Sequence, residues 1–336
     1  MKCTTALLSL SLAMLDSLAM AFVVPTFSEK SSFQTSFHRQ SKHQLQMAVV
    51  PPSESSSVGI IGRGFVSVVT AKIAAIQGYE TFMLCPPGQE ETIKELIDDD
   101  GDIPPNLTLV KSTDSDQLNN KIENADAIVI AVDDDSVMDN DVVNYVLDPE
   151  IAKNLKRVVA MSRNLNGKGI NFAVKASKIS ANGQVWDMGT AESYKSFEKA
   201  IQDGAKACSA EYTIARAGTL KGGACGENEY NQFMSRKFYD MTKKDIVTWN
   251  LLFDCNVRGV TLSKGDVLPG PGFKAVFTAT GTDGGLPGDT SRAGIAEAMI
   301  RSLAFTNTGN MDFGVATKES RSPPTDEEWE KMLGNL

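Results

Sequence analysis

Apolar residues along this chain alternate between two patterns from Val58 onward: short continuous runs, and longer segments in which they recur every three to four residues. The runs predict strands at Val58 to Ile61, Thr81 to Leu84, Leu107 to Val110, Ala127 to Val132 and Arg157 to Met161. The helical spacing predicts helices at Phe65 to Gln77, Glu90 to Ile97, Asp114 to Glu123 and Val137 to Val146. Strands separated by helices return parallel to one another, so the expected fold class is α/β, a doubly wound parallel sheet with helices on both faces. Ala127-Ile128-Val129-Ile130-Ala131-Val132 has no polar position, as a strand covered on both faces requires.

Beyond Met161 the pattern loosens. A helix is expected at Tyr194 to Cys208 and a strand at Tyr212 to Arg216, followed by a Gly- and Pro-rich irregular stretch from Lys221 to Pro287. Ser291 offers an N-cap for a helix reaching about Leu303. The tail Pro323-Pro324-Thr325-Asp326-Glu327-Glu328-Trp329 reads as a capped helix start with acidic residues in its first turn. No internal repeat is present.

The first 57 residues have a different composition. Residues 1–21 carry Lys2, an apolar run from Ala6 to Leu15 broken by serines, and the small-x-small ending Ala19-Met20-Ala21, which reads as a signal peptide. Residues 22–57 are rich in Ser, Thr and Gln, with Lys30, Arg39 and Lys42 against Glu29 and Glu54, the chemistry of a transit segment; an ordinary secreted protein with a polar linker is the alternative. His38 and His43, the two histidines of the chain, lie here. A body starting at Val58 therefore excludes a Ser-His-Asp triad, a Cys-His pair and a histidine metal site. Subtracting the four basic and three acidic residues of this segment leaves 29 basic and 39 acidic, a net charge of −10 that argues against nucleic acid as a partner. Cys85, Cys208, Cys225 and Cys255 show no CxxC spacing and are expected as thiols, with a redox-switched pair as the alternative. No apolar run in the body approaches the roughly 20 residues of a membrane-spanning helix.

Candidate chemistry begins at Gly62-Arg63-Gly64-Phe65-Val66-Ser67, which follows the first strand and opens the first helix. It fits G-x-G-x-x-G/A with Ser67 as the small third residue: Gly62 makes the turn, Gly64 lets a pyrophosphate approach, and the helix N-terminus faces the phosphates. Phe65, Val66 and, at the fourth strand, Ala131 line the same crevice. The second strand ends at Leu84-Cys85-Pro86-Pro87, without the acidic residue that would pair a ribose 2′-hydroxyl, which disfavours NAD(H) against NADP(H). Arg63 is a candidate partner for a 2′-phosphate, or a solvated surface charge. Asp133-Asp134-Asp135, after the fourth strand, would repel phosphates; capping of the next helix and solvation are their expected roles, and a divalent cation the alternative.

Tyr212-Thr213-Ile214-Ala215-Arg216-Ala217-Gly218-Thr219-Leu220 and the Ser291-Arg292-Ala293-Gly294-Ile295-Ala296 run, together with the glycine loop, resemble the atypical, extended-like (NmrA-like) short-chain dehydrogenase/reductase superfamily. The resemblance implies a Rossmann-type sheet with a small C-terminal substrate or partner region, cofactor contacts at Arg216, Ala217 and Gly218, and a catalytic or substrate-orienting Ser162. Its Tyr-x-x-x-Lys pair is missing: Tyr194 and Lys195 are adjacent, and side chains one position apart on a helix diverge by about 100°. Tyr230 and Tyr239 are alternative proton donors. Ala19-Met20-Ala21-Phe22-Val23-Val24-Pro25 resembles the cleavage motif in bipartite presequences of algae with complex plastids, which implies a plastid stroma location.

The expected organisation is a signal peptide (1–21), a transit segment (22–57), a dinucleotide-binding domain (58–318) with an irregular insertion (223–287), and an acidic C-terminal helix (319–336). The expected function is an NADP(H)-binding scaffold, an assembly or redox-sensing factor for a photosynthetic complex with weak or no turnover. The alternative is an NADPH-dependent reductase of a small carbonyl or quinone.

Overall fold

The computed structural model describes residues 49–133, 138–165, 188–221, 233–242, 259–267, 289–318, 320 and 322–336. Ten strands and eight α-helices are described: β1 (Ser57–Arg63), α1 (Phe65–Ile76), β2 (Glu80–Cys85), α2 (Glu90–Ile97), β3 (Leu107–Lys111), α3 (Ser115–Glu123), β4 (Ala127–Val132), α4 (Asn140–Val146), β5 (Arg157–Arg163), α5 (Met188–Ala207), β6 (Glu211–Ala217), β7 (Thr219–Lys221), α6 (Arg236–Thr242), β8 (Gly259–Lys264), β9 (Asp289–Ser291), α7 (Arg292–Ser302), β10 (Met311–Lys318) and α8 (Asp326–Gly334). An eight-stranded sheet runs β3-β2-β1-β4-β5-β6-β10-β8, parallel except for the edge strand β8, which is antiparallel to β10. This is a Rossmann-like α/β fold: the chain winds outward from β1 in one direction, then from β4 in the other, and the order reverses between these two strands.

Two apolar layers sandwich the sheet. Ala127, Val129 and Ala131 of β4 pack into a cluster with α1, α2, α7 and α8, while Ile128 and Ile130 pack into one with α3, α4 and α5. The all-apolar β4 thus serves both faces, residue by residue. β7 and β9 form a separate parallel pair. Helix caps follow local chemistry: Asp114 accepts from the Gln117 N–H, Asp139 from Asp141, Ser291 from Gly294, and Thr325 with Glu328 makes a reciprocal capping box at α8.

Three features differ from the expectation. β10 lies inside the sheet, although Met311-Asp312-Phe313-Gly314 does not read as a buried strand; Asp312 is there to meet Arg216 of β6, and Gly314 lies so close to Val267 that a Cβ would collide with its carbonyl oxygen. The stretch expected to be irregular from Lys221 to Pro287 contains α6 and β8, held by tertiary contacts: the Arg236 N–H bonds Asp99 at 2.7 Å, and Lys237 pairs with Glu95. Most of the remainder, including Cys225, Tyr230 and Cys255, lies outside the described residues, as do residues 1–48 and Asp134-Asp135.

The packed body also begins earlier than Val58. Val50 is 1% exposed; its N–H bonds the Leu303 carbonyl at 2.8 Å, and its own carbonyl accepts from the buried Tyr79 hydroxyl at 2.9 Å. Burial pushes the Tyr79 phenol up, which keeps it a donor.

Candidate functional site

The C-terminal ends of β1 and β4 form the crevice where the strand order reverses, the place at which open α/β sheets bind ligands. Gly62 and Gly64 are both required there by the protein's own packing. A Cβ on Gly62 would collide with the Ala131 carbonyl of the neighbouring strand, and Gly64 has φ +83° with Asp133 Cβ 2.6 Å from where its own Cβ would be. Ser67, fully buried, donates from its hydroxyl to the Gly64 carbonyl at 2.8 Å and tightens the first turn of α1. Val66 is buried in the core; Arg63 is exposed at the end of β1.

α1 has no side-chain cap from its own sequence. Asp133 supplies one from the end of β4: its Oδ2 accepts the Phe65 N–H at 3.1 Å, and its N–H bonds the Arg63 carbonyl at 3.3 Å. The same carboxylate is gripped by Arg292, whose Nε lies 2.9 Å from both oxygens. The Arg292 guanidinium lies over the Phe65 ring at 5.7 Å, and Phe65 meets Phe238 of α6 edge-on at 5.2 Å. Asp133, expected to cap the helix that follows it, caps α1 instead, and the following helix α4 is capped by Asp139. A dinucleotide's pyrophosphate suits the tight turn, but the first amide of α1 already has an anion, so in this conformation the fit is incomplete.

The second candidate cluster sits at the ends of β5 and β6. Ser162, fully buried, donates from Oγ to Glu198 Oε1 of α5 at 2.5 Å. Glu198 holds Arg216 in a two-pronged pair at 2.6 and 2.9 Å, and Arg216 Nε reaches Asp312 at 2.7 Å. Desolvation pulls the Arg216 pKa down, but hydrogen bonds and charge from Glu198, then Asp312 and Asp266, outweigh it and raise it. Arg216, expected at a cofactor, is instead held between the buried Glu198 and the half-buried Asp312 and Asp266.

Ala217 and Gly218 are likewise occupied internally. The Asn164 N–H bonds the Ala217 carbonyl, the Gly218 N–H bonds Thr290 Oγ1 at 2.8 Å, and the Gly218 carbonyl accepts from Arg163 at 2.6 Å. Tyr194 is buried, whereas Lys195 points to the surface and pairs with Glu192 at 2.8 Å. Ser162, Tyr194 and Lys195 are thus not brought together as a proton relay. Tyr239 lies on α6, packed at the edge of the core.

Glu198 and Arg292 are the residues that sequence reasoning missed. Glu198 stands four positions after Tyr194, where the resemblance leads one to look for a lysine; that spacing was the available signal. At the end of β2, Cys85 is paired in register with Lys111, whose ammonium is 3.6 Å from Glu90. Burial first, then Glu90, pushes the Cys85 thiol up, with Lys111 opposing.

No protein-family profile matches this sequence, and no curated protein matches it. Among solved structures, it is similar to a wide-type short-chain dehydrogenase/reductase from Veillonella parvula in complex with NADP, at 13% identity and TM-score 0.45, over 80% of this chain and 99% of that one. An oxidoreductase from Lactococcus lactis matches at 12% identity and TM-score 0.44, over 83% and 97%. A Rossmann-fold NAD(P)-binding family protein from Shigella flexneri matches at 14% identity and TM-score 0.43, over 81% and 98%.

Proposed function

We propose that this chain is an NADP(H)-binding scaffold of the atypical short-chain dehydrogenase/reductase type, working in a plastid as an assembly or redox-sensing factor and carrying out little or no hydride transfer. The observation that carries this reading is the Ser162–Glu198–Arg216 cluster. A reductase of this type needs a hydroxyl and a tyrosine free to pass a proton to the substrate oxygen. Here the serine hydroxyl is spent on a carboxylate, that carboxylate is spent on an arginine, and the lysine faces solvent. The glycine turn at the crevice supports retention of nucleotide binding. The lack of an acid at Cys85, with Arg63 and Lys111 nearby in the fold, supports NADP(H) over NAD(H). Among the described residues no helix is long and apolar enough to cross a membrane.

Titration calorimetry of the body with NADPH and NADH, followed by turnover assays with aldehydes, ketones and quinones, tests the reading. It expects tighter binding of NADPH and negligible oxidation of it. Fast turnover that collapses in Tyr194→Phe or Ser162→Ala would overturn it in favour of a reductase. The plastid setting rests on residues 1–57: a fluorescent fusion of that segment should enter a complex plastid, Phe22→Ala should divert it, and secretion of the unmutated fusion removes the assignment.

A further inference from the structure

Asp133 and Arg292 come from opposite halves of the chain, 159 positions apart, yet their side chains are only 6% and 7% exposed and close on each other at the mouth of the crevice. Asp133 approaches Gly64 so tightly that only a glycine fits, and its second role is to accept the first amide hydrogen of α1. A helix N-terminus and a guanidinium converging on one carboxylate form the arrangement that would receive a phosphate, and here the protein's own anion fills it. Arg292 is itself rigidly presented: it opens α7, whose cap residue Ser291 accepts the Gly294 N–H at 3.0 Å and donates its own N–H to Thr317 at 2.9 Å.

We infer that Asp133 is an autoinhibitory stand-in for a ligand phosphate, and that a pyrophosphate-bearing nucleotide binds by exchange. Asp133 withdraws from the Phe65 N–H and from Arg292, and a ligand phosphate takes both partners. The Phe65 amide has one hydrogen, already accepted by Asp133, and a phosphate brought against that carboxylate at the turn is repelled by it, so Asp133 and the ligand compete for the position. This inference rests on the nucleotide-binding reading given above.

The test is titration of NADPH, ADP and inorganic pyrophosphate into the full chain, Asp133→Asn, Asp133→Ala and Asp133→Ala/Arg292→Met, each checked for a cooperative thermal transition. Removal of the charge should tighten all three ligands, by about tenfold or more for Asp133→Ala, and the double variant should lose that gain because Arg292 no longer receives the phosphate. If Asp133→Ala does not fold, Asp133→Asn, which keeps the shape and removes the charge, decides the matter in the same direction. Folded variants that bind no tighter than the parent overturn the exchange and leave nucleotide binding standing. Failure of every chain to bind any of the three ligands overturns both.

Discussion

Ser162 Oγ donates to Glu198 Oε1 at 2.5 Å, and Glu198 stands one helical turn beyond Tyr194 on α5. A carboxylate in that position is opposite in charge to the lysine suggested by the resemblance, and Arg216 on β6 is its counter-ion. The cluster is internally neutralised and buried, which makes it costly to break and ill suited to passing protons.

Glu198→Ala is therefore expected to destabilise the fold by about 3 kcal/mol, because Arg216 keeps Asp312 but loses its closest partner. Glu198→Lys, which restores the Tyr-x-x-x-Lys spacing, should do worse by setting a second cation against Arg216, and should create no reductase activity. Lys195→Ala, at the surface, should leave the midpoint of urea denaturation unchanged. A large loss for Lys195→Ala with none for Glu198→Ala would reverse the assignment of roles.

At the glycine turn, loss of ligand binding in a variant is not by itself a sign of a phosphate contact. Gly62→Ala drives a methyl into the Ala131 carbonyl, and Gly64→Ala must hold φ near +83° against Asp133. Each should cost about 2 kcal/mol in the ligand-free protein, visible as a lower thermal midpoint by circular dichroism. Unchanged midpoints together with abolished binding would instead assign both glycines to ligand approach alone.

Much of the scaffold was legible because it is encoded locally. α2 and β4 follow from apolar spacing that needs no partner, and Ser291 and Thr325 announce their helices by capping chemistry within three or four residues. β10 was not legible, since Asp312 and Gly314 interrupt its apolar pattern for the sake of Arg216 and Val267. The site was harder still. A charge at a strand end shows in sequence, but whether Arg216 meets a ligand or Glu198 depends on register and on which helix face turns inward. Asp133 likewise reads in sequence as a cap for the helix after it, while the helix it caps and the cation it pairs lie 68 and 159 positions away.

Cys85 gives a pH-dependent prediction. Burial, with Glu90 adding to it, raises the thiol above its ordinary value of 9.0, so the folded state prefers the protonated form. The associated stability is fully present below that ordinary value, and is lost as pH rises through the higher folded value. Alkylation of Cys85 in the native protein, followed by peptide mass spectrometry, should be slow at pH 8 and lag behind the urea-unfolded chain. Glu90→Gln should speed it modestly. Native alkylation as fast as that of the unfolded chain would contradict this environment.

Arg157 should be a stability determinant although it lies at the opposite end of β5 from the crevice. Fully buried, it donates to the Phe305 carbonyl at 2.7 Å and pairs with Glu211 at 3.3 Å; desolvation lowers its pKa, and Glu211 partly restores it. A Cβ on Gly309 would collide with Glu211 and come within 2.9 Å of Arg157 Nη1. Arg157→Ala, which strands Glu211 and Phe305, should cost about 3 kcal/mol, and Gly309→Ala about 1 to 3 kcal/mol. Changes below about 0.5 kcal/mol in chemical denaturation would show that the cluster is incidental.

The start of the packed body can be tested by truncation. A chain beginning at Val49 retains the buried Val50 side chain, its N–H bond to Leu303, and the acceptor for the Tyr79 hydroxyl, while a chain beginning at Val58 loses all three, together with Ser57 of β1 and its bonds to Asp126. Exposing one valine's partners costs about 1.5 to 3 kcal/mol, and a buried hydroxyl without an acceptor about 1 to 3 kcal/mol. The shorter chain should therefore melt roughly 6 to 12 °C lower, taking about 3 kcal/mol and the 2 to 4 °C per kcal/mol typical of a body this size. Tyr79→Phe should erase part of that difference, because the hydroxyl whose partner is lost is then absent from both chains. If the two chains melt together, Val50 is a passenger; if they differ as expected, a mature chain that keeps these contacts begins at or before Val49, and N-terminal mass spectrometry reads where it begins.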